Sequence, residues 1–313
     1  MVTDRKERFD VTVLNESARR DPERAVARAE QFYRDQVEQV ADDFLQRMKE
    51  NRVILLAGPS SSGKTTTSLN LLEALHRRGI RTVSVSLDDF FLGRDAAPLL
   101  EDGSRDLETV ELLDAGHLDK CFAELFDKGE CDFPVFDFTL GRRSDRVNHF
   151  TVDERTAVVV EGLHALNPFI AGRNFCKKAL KVYISIKTEY YVDDERILST
   201  RELRLIRRII RDYNYRGCAP EETLAMWKNV VRGENAYIRP FRLGADYWVD
   251  SFHAYEPMVY RSVLLKLLDR PELTEGPDAG IAAKLCGAIR YFDEMPLSRV
   301  PKDSLLREFL VLP

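Results

Sequence analysis

Short runs of apolar residues alternate with longer amphipathic stretches along the chain. The runs cover residues 53–57, 82–87, 156–160, 180–186 and 247–249. Continuous apolar runs of this length are typical of strands that are buried on both faces. The pattern therefore predicts an α/β fold in which helices cover both faces of a mostly parallel sheet.

Amphipathic periods mark the helices around these runs. Apolar residues at spacings of three and four predict a helix over 21–50, with Asp21 as its N-cap and Pro22 in its first turn. Further helical patterns cover residues 65–78, 256–268 and 280–292. The sequence contains no internal repeat and no low-complexity linker, which favours one domain with appended helices.

Two stretches interrupt the alternation of strands and helices. Residues 131–152 have the pattern of a hairpin around Gly141, and residues 195–216 have an arginine-rich helical pattern. Insertions of this kind commonly contribute substrate contacts or lids. We therefore expect both stretches to border a binding site.

Composition narrows the class of protein. Of the 313 residues, 44% are hydrophobic and 32% are charged, and the net charge is -5. These values favour a folded core and disfavour non-specific nucleic-acid binding. The five cysteines show no metal-ligand spacing, so neither disulfides nor zinc are expected. No apolar segment is long enough to span a bilayer and no signal-peptide core is present, so we expect a cytoplasmic protein with no membrane partner.

A glycine-rich motif separates the first apolar run from the helix that follows it. Residues 58–65 read Gly-Pro-Ser-Ser-Ser-Gly-Lys-Thr, which fits the phosphate-binding pattern G-x-x-x-x-G-K-[ST] in its strand–loop–helix context. In such a loop Lys64 spans the β- and γ-phosphates and the Thr65 hydroxyl joins the Mg²⁺ shell. The predicted nucleotide contacts are Gly58, Ser60, Ser61, Ser62, Gly63, Lys64, Thr65 and Thr66. The fold is therefore expected to be of the P-loop NTPase type.

Acidic residues follow two of the predicted strands. Asp88 and Asp89 follow the second run and Glu161 follows the third, which places all three on the rim that carries the phosphate loop. Either aspartate could be the general base of a phosphoryl transfer, while the other caps residues 90–92. Glu161 is a candidate to orient Mg²⁺ or its water. The alternatives are that the aspartates are turn caps and that Glu161 is a solvated strand end.

Arginines recur at helical spacing in the second interruption. Arg204, Arg208 and Arg211 share one predicted helix face, which could close over a triphosphate. A solvated surface and a nucleic-acid patch are the alternatives. The opposite, apolar face comprises Leu203, Ile206, Ile210 and Tyr213.

Five segments, in order along the chain, resemble the uridine kinase and phosphoribulokinase family. They are residues 57–66, 86–91, 134–138, 160–166 and 207–212. The resemblance spans about residues 50–255 and is strongest to uridine kinase-related nucleoside kinases, whose C-terminal sequence also looks like residues 304–309 here.

This resemblance implies roles for individual residues. Asp88 is expected to be the general base, Glu161 to assist Mg²⁺ together with Thr65, and Arg216 to join a lid that contacts ATP. Residues expected to act in catalysis are Asp88, Lys64, Arg208 and Arg211. Residues expected to contact the acceptor are Asp88, Glu108 at the sugar hydroxyls, Phe136, Phe138 stacking on the base, and Arg208.

The sequence also departs from the family pattern. Where uridine–cytidine kinases present a tyrosine and a histidine to the pyrimidine, this chain has Phe136 and a position near Gly141, and Cys218 replaces a further arginine. Phenylalanine and glycine offer no side-chain hydrogen bonds, so the acceptor could be another nucleoside or a different polyol.

The expected function is that of an ATP- and Mg²⁺-dependent kinase that phosphorylates a hydroxyl of a small molecule, and the expected acceptor is the 5′-hydroxyl of a nucleoside such as uridine. The alternatives are a kinase of a non-nucleoside sugar or polyol, and a nucleotide-binding regulatory module. Homo-oligomer formation is left open. We divide the chain into an N-terminal helical extension (1–50), a P-loop kinase domain (51–270) with the hairpin at about 131–152 and the lid at about 195–218, and a C-terminal helical extension (271–313).

Overall fold

A computed structural model describes residues 6–101, 103–137, 140–270, 273 and 276–311. The strands are β1 (Glu7–Asp10), β2 (Val53–Ala57), β3 (Arg81–Ser86), β4 (Glu130–Asp137), β5 (Arg142–Thr151), β6 (Thr156–Glu161), β7 (Leu180–Ser185), β8 (Thr188–Val192), β9 (Glu195–Leu198) and β10 (Tyr247–Asp250). The α-helices are α1 (Val11–Arg20), α2 (Pro22–Arg47), α3 (Lys64–Arg77), α4 (Ala115–Lys128), α5 (Pro168–Ala171), α6 (Thr200–Arg216), α7 (Pro220–Gly233), α8 (Glu256–Leu268) and α9 (Ala279–Ile289). Among the described residues no helix combines the length and the apolar character needed to cross a bilayer.

A five-stranded sheet forms the centre of the molecule, with the strand order β10-β7-β2-β6-β3. Every neighbouring pair in it is parallel. The strands coincide with the five apolar runs, to within two residues at each end. In β2 all residues are buried, as expected for a strand covered on both faces. The prediction of an α/β fold with a mostly parallel sheet is confirmed.

The two faces of this sheet pack against two separate cores. Along β2, Ile54 and Leu56 point into the larger core, whereas Val53 and Leu55 point into the smaller one. The larger core contains apolar residues of α1, α2, α3, α6, α8 and α9. The smaller core contains apolar residues of α4, α5 and β4. Both faces are therefore covered by helices, as the sequence predicts.

Both terminal segments belong to the larger core. Tyr33 and Phe44 of α2 are buried there, as are Leu305 and Phe309 near the C-terminus. The start of α2 agrees with the predicted cap, because Asp21 Oδ1 accepts a hydrogen bond from Arg24 N at 3.0 Å. The terminal segments are thus packed against the same face of the sheet as the helix that follows the phosphate loop.

The hairpin predicted around Gly141 is present. Strands β4 and β5 pair antiparallel, with a register shift between Pro134 and Phe136. Gly141 has a φ of +65°, which a residue without a Cβ adopts at low cost. Phe138, expected to stack on a base, lies outside the described residues.

The lid segment begins differently from the helix expected over 195–216. Residues Glu195–Leu198 form β9, which pairs antiparallel with β8, and β1 adds to β8 in parallel. Helix α6 starts only at Thr200, because the Ser199 side chain accepts from Glu202 N and the Glu202 carboxylate accepts from Ser199 N. This reciprocal cap defines the first turn of the helix more strongly than the apolar period does.

Candidate active site

The phosphate loop joins β2 to α3 and lies tightly against its neighbours. A Cβ on Gly58 would come within 2.2 Å of the Ile184 carbonyl oxygen, so only glycine lets the loop lie this close to β7. Gly63 precedes α3 with a φ of +89°, and Ser61 also has a positive φ, of +57°. The loop conformation therefore depends on the two glycines that the motif specifies, and Ser61 adopts its positive φ at a variable position of the motif.

The loop offers polar groups that have no partner within the protein. Among the described residues, the buried hydroxyls of Ser61 and Ser62 lack any hydrogen-bond partner. Unsatisfied buried polar groups are costly and rare in folded proteins. Thr65, in the first turn of α3, is exposed. These groups fit an anionic ligand with several oxygen atoms.

Lys64 lies at the junction of the loop and two acidic side chains. Its ammonium Nζ is 3.4 Å from the Pro59 carbonyl oxygen. Burial lowers the pKa of Lys64, and the nearby carboxylates of Glu161 and Asp88 oppose that shift. The structure thus brings together a cation and two carboxylates that are far apart in sequence.

The two adjacent aspartates have different surroundings. Asp88 lies in the 3₁₀ turn Leu87–Phe90, and burial raises the pKa of its carboxyl while Lys64 opposes the rise. Asp89 Oδ1 accepts a hydrogen bond from Phe136 N at 2.9 Å. Asp88 is therefore the aspartate beside the phosphate loop. Asp89 fixes the hairpin to the sheet instead of capping residues 90–92.

Glu161 ends β6 in the centre of the sheet. Its Oε1 accepts a hydrogen bond from Ser86 Oγ at 2.8 Å. Burial, and next the charge of Asp88, raise the pKa of Glu161 to about 7. A cation between these carboxylates would stabilise their charged forms.

Glu108 reaches the same cleft from a loop. A Cβ on Gly233 would come within 2.3 Å of the Glu108 Cβ, so the end of α7 lies directly against this side chain. Burial raises the pKa of Glu108, and Arg208 is the first of the cations that oppose the shift. The cleft therefore brings the carboxyl group of Glu108 close enough to Arg208 and Lys64 for their charges to affect its pKa.

The loop that carries Glu108 is held in place by hydrogen bonds of Asp106, which the sequence pattern does not reveal. Asp106 accepts hydrogen bonds from Arg232 at 2.9 and 3.3 Å and from the Tyr237 hydroxyl at 2.9 Å. Asp106 is buried, and it fixes the loop that carries Glu108 to α7 and to the π-helical turn Glu234–Ile238. His164 is also buried nearby, and burial lowers its pKa to about 4, so its imidazole is neutral at pH 7.

Three lid arginines converge on one buried carboxylate, that of Asp212. The distances are 3.2 Å from Arg208 Nε, 3.0 Å from Arg211 Nη2 and 3.4 Å from Arg216 Nη1. Arg208 Nη1 also donates to Ser60 Oγ at 2.8 Å. Asp212 therefore holds the arginine cluster against the phosphate loop. Arg208 and Arg211 therefore do not form an ordinary solvated surface, whereas the side chain of Arg216 is 57% exposed.

Other members of the predicted arginine face have a different environment. Arg204 is buried, pairs with Glu234 at 2.5 Å and donates to the Ser60 carbonyl at 3.1 Å. Tyr213, placed on the apolar face by its spacing, is 53% exposed. The neighbouring Arg207 is buried completely. It pairs with Glu256 at 2.7 and 2.8 Å, so it anchors α6 to α8.

The C-terminal segment also contacts the phosphate loop, which the sequence pattern does not reveal. Glu308 Oε2 accepts hydrogen bonds from Thr66 N at 3.2 Å and from Thr66 Oγ1 at 2.8 Å. A Cβ on Gly63 would come within 2.6 Å of the Leu305 side chain. Thr66, expected to contact a nucleotide, therefore has a partner inside the protein. The similarity of residues 304–309 to related kinases was the one sequence signal at this position.

The positions at which the sequence departs from the family pattern lie near the hairpin and the lid. Phe136 is buried and packs edge-to-face on Phe91, with ring centroids 6.0 Å apart. Gly141 lies close to the Arg94 side chain, where a Cβ would approach to 2.9 Å. Cys218 N donates to the Asp212 carbonyl at 3.1 Å, so this residue belongs to the turn that follows α6 beside the arginine cluster.

The donor set can be compared with what Mg²⁺ requires. Within the described ranges, no group of three or more His, Cys, Asp and Glu side chains could form a complete metal site. Mg²⁺ at phosphoryl-transfer sites takes one or two carboxylates, and substrate phosphates and waters complete its shell. The carboxylate of Glu161 and the exposed hydroxyl of Thr65 are oxygen ligands of this kind, so the residues present fit the ion.

Comparisons with known proteins agree with this geometry. The model of the Phosphoribulokinase / Uridine kinase family matches residues 53–255. A uridine kinase of Anoxybacillus flavithermus is 29% identical over 199 residues, which cover 63% of this chain and 85% of that protein. A uridine kinase of Bacillus subtilis is 26% identical over 201 residues, which cover 64% of this chain and 86% of that protein. A solved structure assigned as a fructose transport system kinase, from Silicibacter sp. TM1040, shares the fold with a TM-score of 0.52 and 19% identity and covers 68% of this chain and 98% of its own.

Proposed function

Because the chain belongs to the phosphoribulokinase/uridine kinase family, we propose that its acceptor is a nucleoside such as uridine, phosphorylated on the 5′-hydroxyl with the aid of Mg²⁺. The coarser activity follows from the family itself: the protein is a phosphotransferase that moves a phosphoryl group from ATP to an alcohol group of a small molecule.

One observation carries the assignment of the reacting groups. The half-buried Asp88 carboxyl lies beside Lys64 and Glu161, next to a phosphate loop with unsatisfied hydroxyls. A kinase needs a group that accepts or orients the hydroxyl proton close to the migrating phosphoryl. Asp88 has that position, whereas Asp89 is engaged with the hairpin. Asp88 is therefore the general base of the proposed mechanism.

The remaining groups stabilise charge and exclude water. Lys64 and the arginines held by Asp212 lie on the side of the loop that the terminal phosphates would occupy, where they stabilise negative charge on the migrating group. Thr65 and Glu161 would hold Mg²⁺, which neutralises phosphate charge and orients the terminal phosphates. The lid helix α6, bound to Ser60 through Arg208, limits the access of water and so suppresses hydrolysis of ATP.

The acceptor is bound on the other side of Asp88. Glu108 faces the cleft with a carboxylate that can accept hydrogen bonds from two sugar hydroxyls, and Asp106 fixes its loop. The hairpin is anchored through Asp89, and we infer that the aromatic side chain of Phe136 covers the bound acceptor. An aromatic cover above a carboxylate suits a nucleoside, which has a planar base and a polyhydroxylated sugar.

A kinase of a non-nucleoside sugar or polyol is the second candidate. Phe136 supplies no hydrogen bond to a base, and a carboxylate such as Glu108 binds the hydroxyls of any polyol equally well. In a nucleoside kinase the hairpin would stack on the base of the acceptor. In a sugar or polyol kinase it would only exclude water from the cleft.

A panel of acceptors tests the proposal. The protein is incubated with radiolabelled ATP, Mg²⁺ and each of a set of nucleosides, sugars and polyols. We expect a nucleoside to yield product well above the hydrolysis background, whereas product formation only with a sugar or polyol would contradict the nucleoside assignment. In Asp88→Asn we expect transfer to fall by about 10²-fold or more while ATP still binds. Asp89→Asn is the matched control, because an amide oxygen can still accept the bond from Phe136 N.

A further inference from the structure

A concave pocket of about 350 Å³ lies beside the phosphate loop, separate from the cleft described above. Its walls come from β7 and β10, from β8 and β9 of the small sheet, from the start of α6 and from the turns that follow α7. Its described lining includes none of Lys64, Asp88, Glu108 and Glu161. A cavity of this size accommodates a small molecule and excludes a polymer chain.

Basic side chains dominate the lining of this pocket. They are Lys6, Arg196, Arg201, Arg204, Arg239 and Arg242. Two acidic residues, Glu189 and Glu234, lie among them. Six positive and two negative charges leave an excess of four positive charges, in a chain whose net charge is -5. A concave surface with charges of one sign concentrates ions of the opposite sign. The pocket therefore suits an anion with more than one negative charge.

Both acidic residues are engaged by arginines of the same lining. Glu234 Oε2 lies 2.5 Å from Arg204 Nη2, and Glu234 Oε1 lies 3.8 Å from Arg201 Nη2. Burial by itself would raise the pKa of Glu234, but the charges of Arg204 and then Arg201 lower it. Glu189 Oε2 lies 3.5 Å from Arg196 Nη1. The two carboxylates are thus ionised or paired in place, and they offset only part of the positive charge.

The basic groups reach the pocket from several elements of the fold. Arg196 belongs to β9 and Arg201 to α6, and the 3₁₀ turn Arg239–Gly244 carries two further arginines. Lys6 Nζ donates to Thr200 Oγ1 at 3.0 Å, which places its charge at the start of α6. Guanidinium groups form paired hydrogen bonds with the oxygens of phosphates and carboxylates. Arginines that converge from separate elements match an anion whose oxygens point in several directions.

Arg204 forms the boundary between this pocket and the phosphate loop. Its Nη1 donates to the Ser60 carbonyl at 3.1 Å, while its Nη2 pairs with Glu234. The Arg204 side chain is only 3% exposed. Its Nε has no hydrogen-bond partner among the described residues, and unsatisfied buried donors are rare in folded proteins. The lining thus includes a buried cation with a donor that the protein itself does not satisfy.

We propose that this pocket is a second anion-binding site, whose ligand is a small molecule with two or more negative charges on phosphate or carboxylate groups. A ligand bound here is neither the phosphate donor nor the acceptor, because Arg204 and Glu234 lie between it and the reacting groups. The inference goes beyond the proposed kinase activity and does not depend on the identity of the acceptor.

Titration calorimetry on the full chain tests this inference. The protein is first saturated with a non-hydrolysable ATP analogue and one equivalent of Mg²⁺, so that the phosphate loop is occupied. Inorganic pyrophosphate and citrate are then added in separate titrations. We expect binding of at least one of these anions, and tighter binding of pyrophosphate or of citrate identifies phosphate or carboxylate as the preferred group. Binding of neither anion would overturn the inference.

Variants locate the site of binding. Arg196→Gln and Arg201→Gln each remove one guanidinium from the lining, and we expect each to weaken anion binding by about tenfold. Arg8→Gln is the matched control. Arg8 lies in β1 of the same small sheet, pairs with Asp194 at 3.1 Å and has a side chain that is 55% exposed, against 52% for Arg196. It is not among the described residues that line the pocket, so we expect its loss to change anion affinity by less than about twofold.

An equal loss of affinity in all three variants would show a general effect of positive charge, and the inference would be wrong. The result is also separable from the test of the proposed function. A protein that phosphorylates a nucleoside but binds neither anion keeps its kinase activity and loses this inference. If the ATP analogue failed to bind, the donor site would be in question, whereas weaker anion binding in Arg196→Gln but not in Arg8→Gln would still support the pocket.

Discussion

The hydroxyl oxygen of Tyr33 lies 2.7 Å from the hydroxyl oxygen of Thr67. Tyr33 belongs to α2 and Thr67 to the first turns of α3, so this buried pair joins α2 to the helix that follows the phosphate loop. Asn70 Nδ2 donates to the same Tyr33 hydroxyl at 3.4 Å. Helix α2 therefore stabilises the helix after the phosphate loop both by these hydrogen bonds and by apolar packing in the larger core.

Removing this hydroxyl should weaken the support without touching the chemistry. In Tyr33→Phe we expect a loss of about 1 kcal/mol in the free energy of unfolding, because a typical buried hydrogen bond contributes that much. The loss stays small because Thr67 can bond instead to the backbone carbonyl one turn earlier. Denaturant titration measures the loss, and kcat should be unchanged. A drop in kcat of tenfold or more would mean that the pair acts on catalysis.

The hairpin anchor gives a prediction about acceptor binding. Asp89→Ala removes the acceptor for Phe136 N, so the hairpin loses its link to the sheet beside the cleft. We expect KM for the acceptor to rise by about tenfold, with the affinity for ATP unchanged. Steady-state kinetics at saturating ATP measure the change. Asp89→Asn should stay close to the unchanged protein, and an equal defect in both variants would contradict a role based on this hydrogen bond.

Neutralising Asp212 should disorganise the lid. In Asp212→Asn the guanidinium groups of Arg208, Arg211 and Arg216 lose the carboxylate they share and repel one another. We expect a loss of about 3 kcal/mol in the free energy of unfolding, as for other broken buried ion pairs. The transfer rate should fall, because Arg208 is no longer oriented toward Ser60. An ATP analogue should restore more stability to this variant than to the unchanged protein, as measured by thermal melting.

The pKa of Glu161 gives the site a predictable response to pH. Because its pKa is raised from 4.5 to about 7, the folded protein keeps a proton that the unfolded chain has lost. The free energy of unfolding should therefore fall as the pH rises from about 4.5 to 7. Chemical denaturation across this range, without nucleotide, measures the slope.

A variant isolates the contribution of this carboxyl group to the slope. Glu161→Gln has no proton to lose at this position, so we expect a flatter profile and a more stable protein than the unchanged one at pH 8. Transfer should be weakened at every pH in the same variant, since the proposed ligand of Mg²⁺ is lost. An unchanged slope would show that other groups set the pH dependence.

The central fold was predictable from local pattern, and the reason is physical. A parallel strand buried on both faces must be apolar throughout, so runs such as Val53–Ala57 mark the strands directly. Strand β1 could not be found in this way, because its sequence Glu-Arg-Phe-Asp has no such run and its pairing with β8 supplies the structure. Helix α6 was predicted to start too early, since Glu195–Leu198 pairs with a strand.

In the candidate site, too, the residues that belong to local motifs could be predicted and the contacts between distant segments could not. The loop motif and the acids at the strand ends follow from short segments with known topology, so Lys64, Asp88 and Glu161 were predicted to share one edge, and they do. Contacts between distant segments leave no local period. The anchoring of Phe136 by Asp89 and the bond between Thr66 and Glu308, which are 242 positions apart, therefore became visible only in the folded chain.

That long separation has a consequence for how the protein matures in the cell. The phosphate loop emerges from the ribosome long before the segment that buttresses Gly63 and Thr66 is synthesised. A nascent chain that has formed the central sheet still lacks one wall of its donor site. We therefore expect the donor site of the nascent chain to lack this support until residues 305–309 have left the ribosome. Fusions or truncations near Phe309 should disturb the phosphate loop as well as the core.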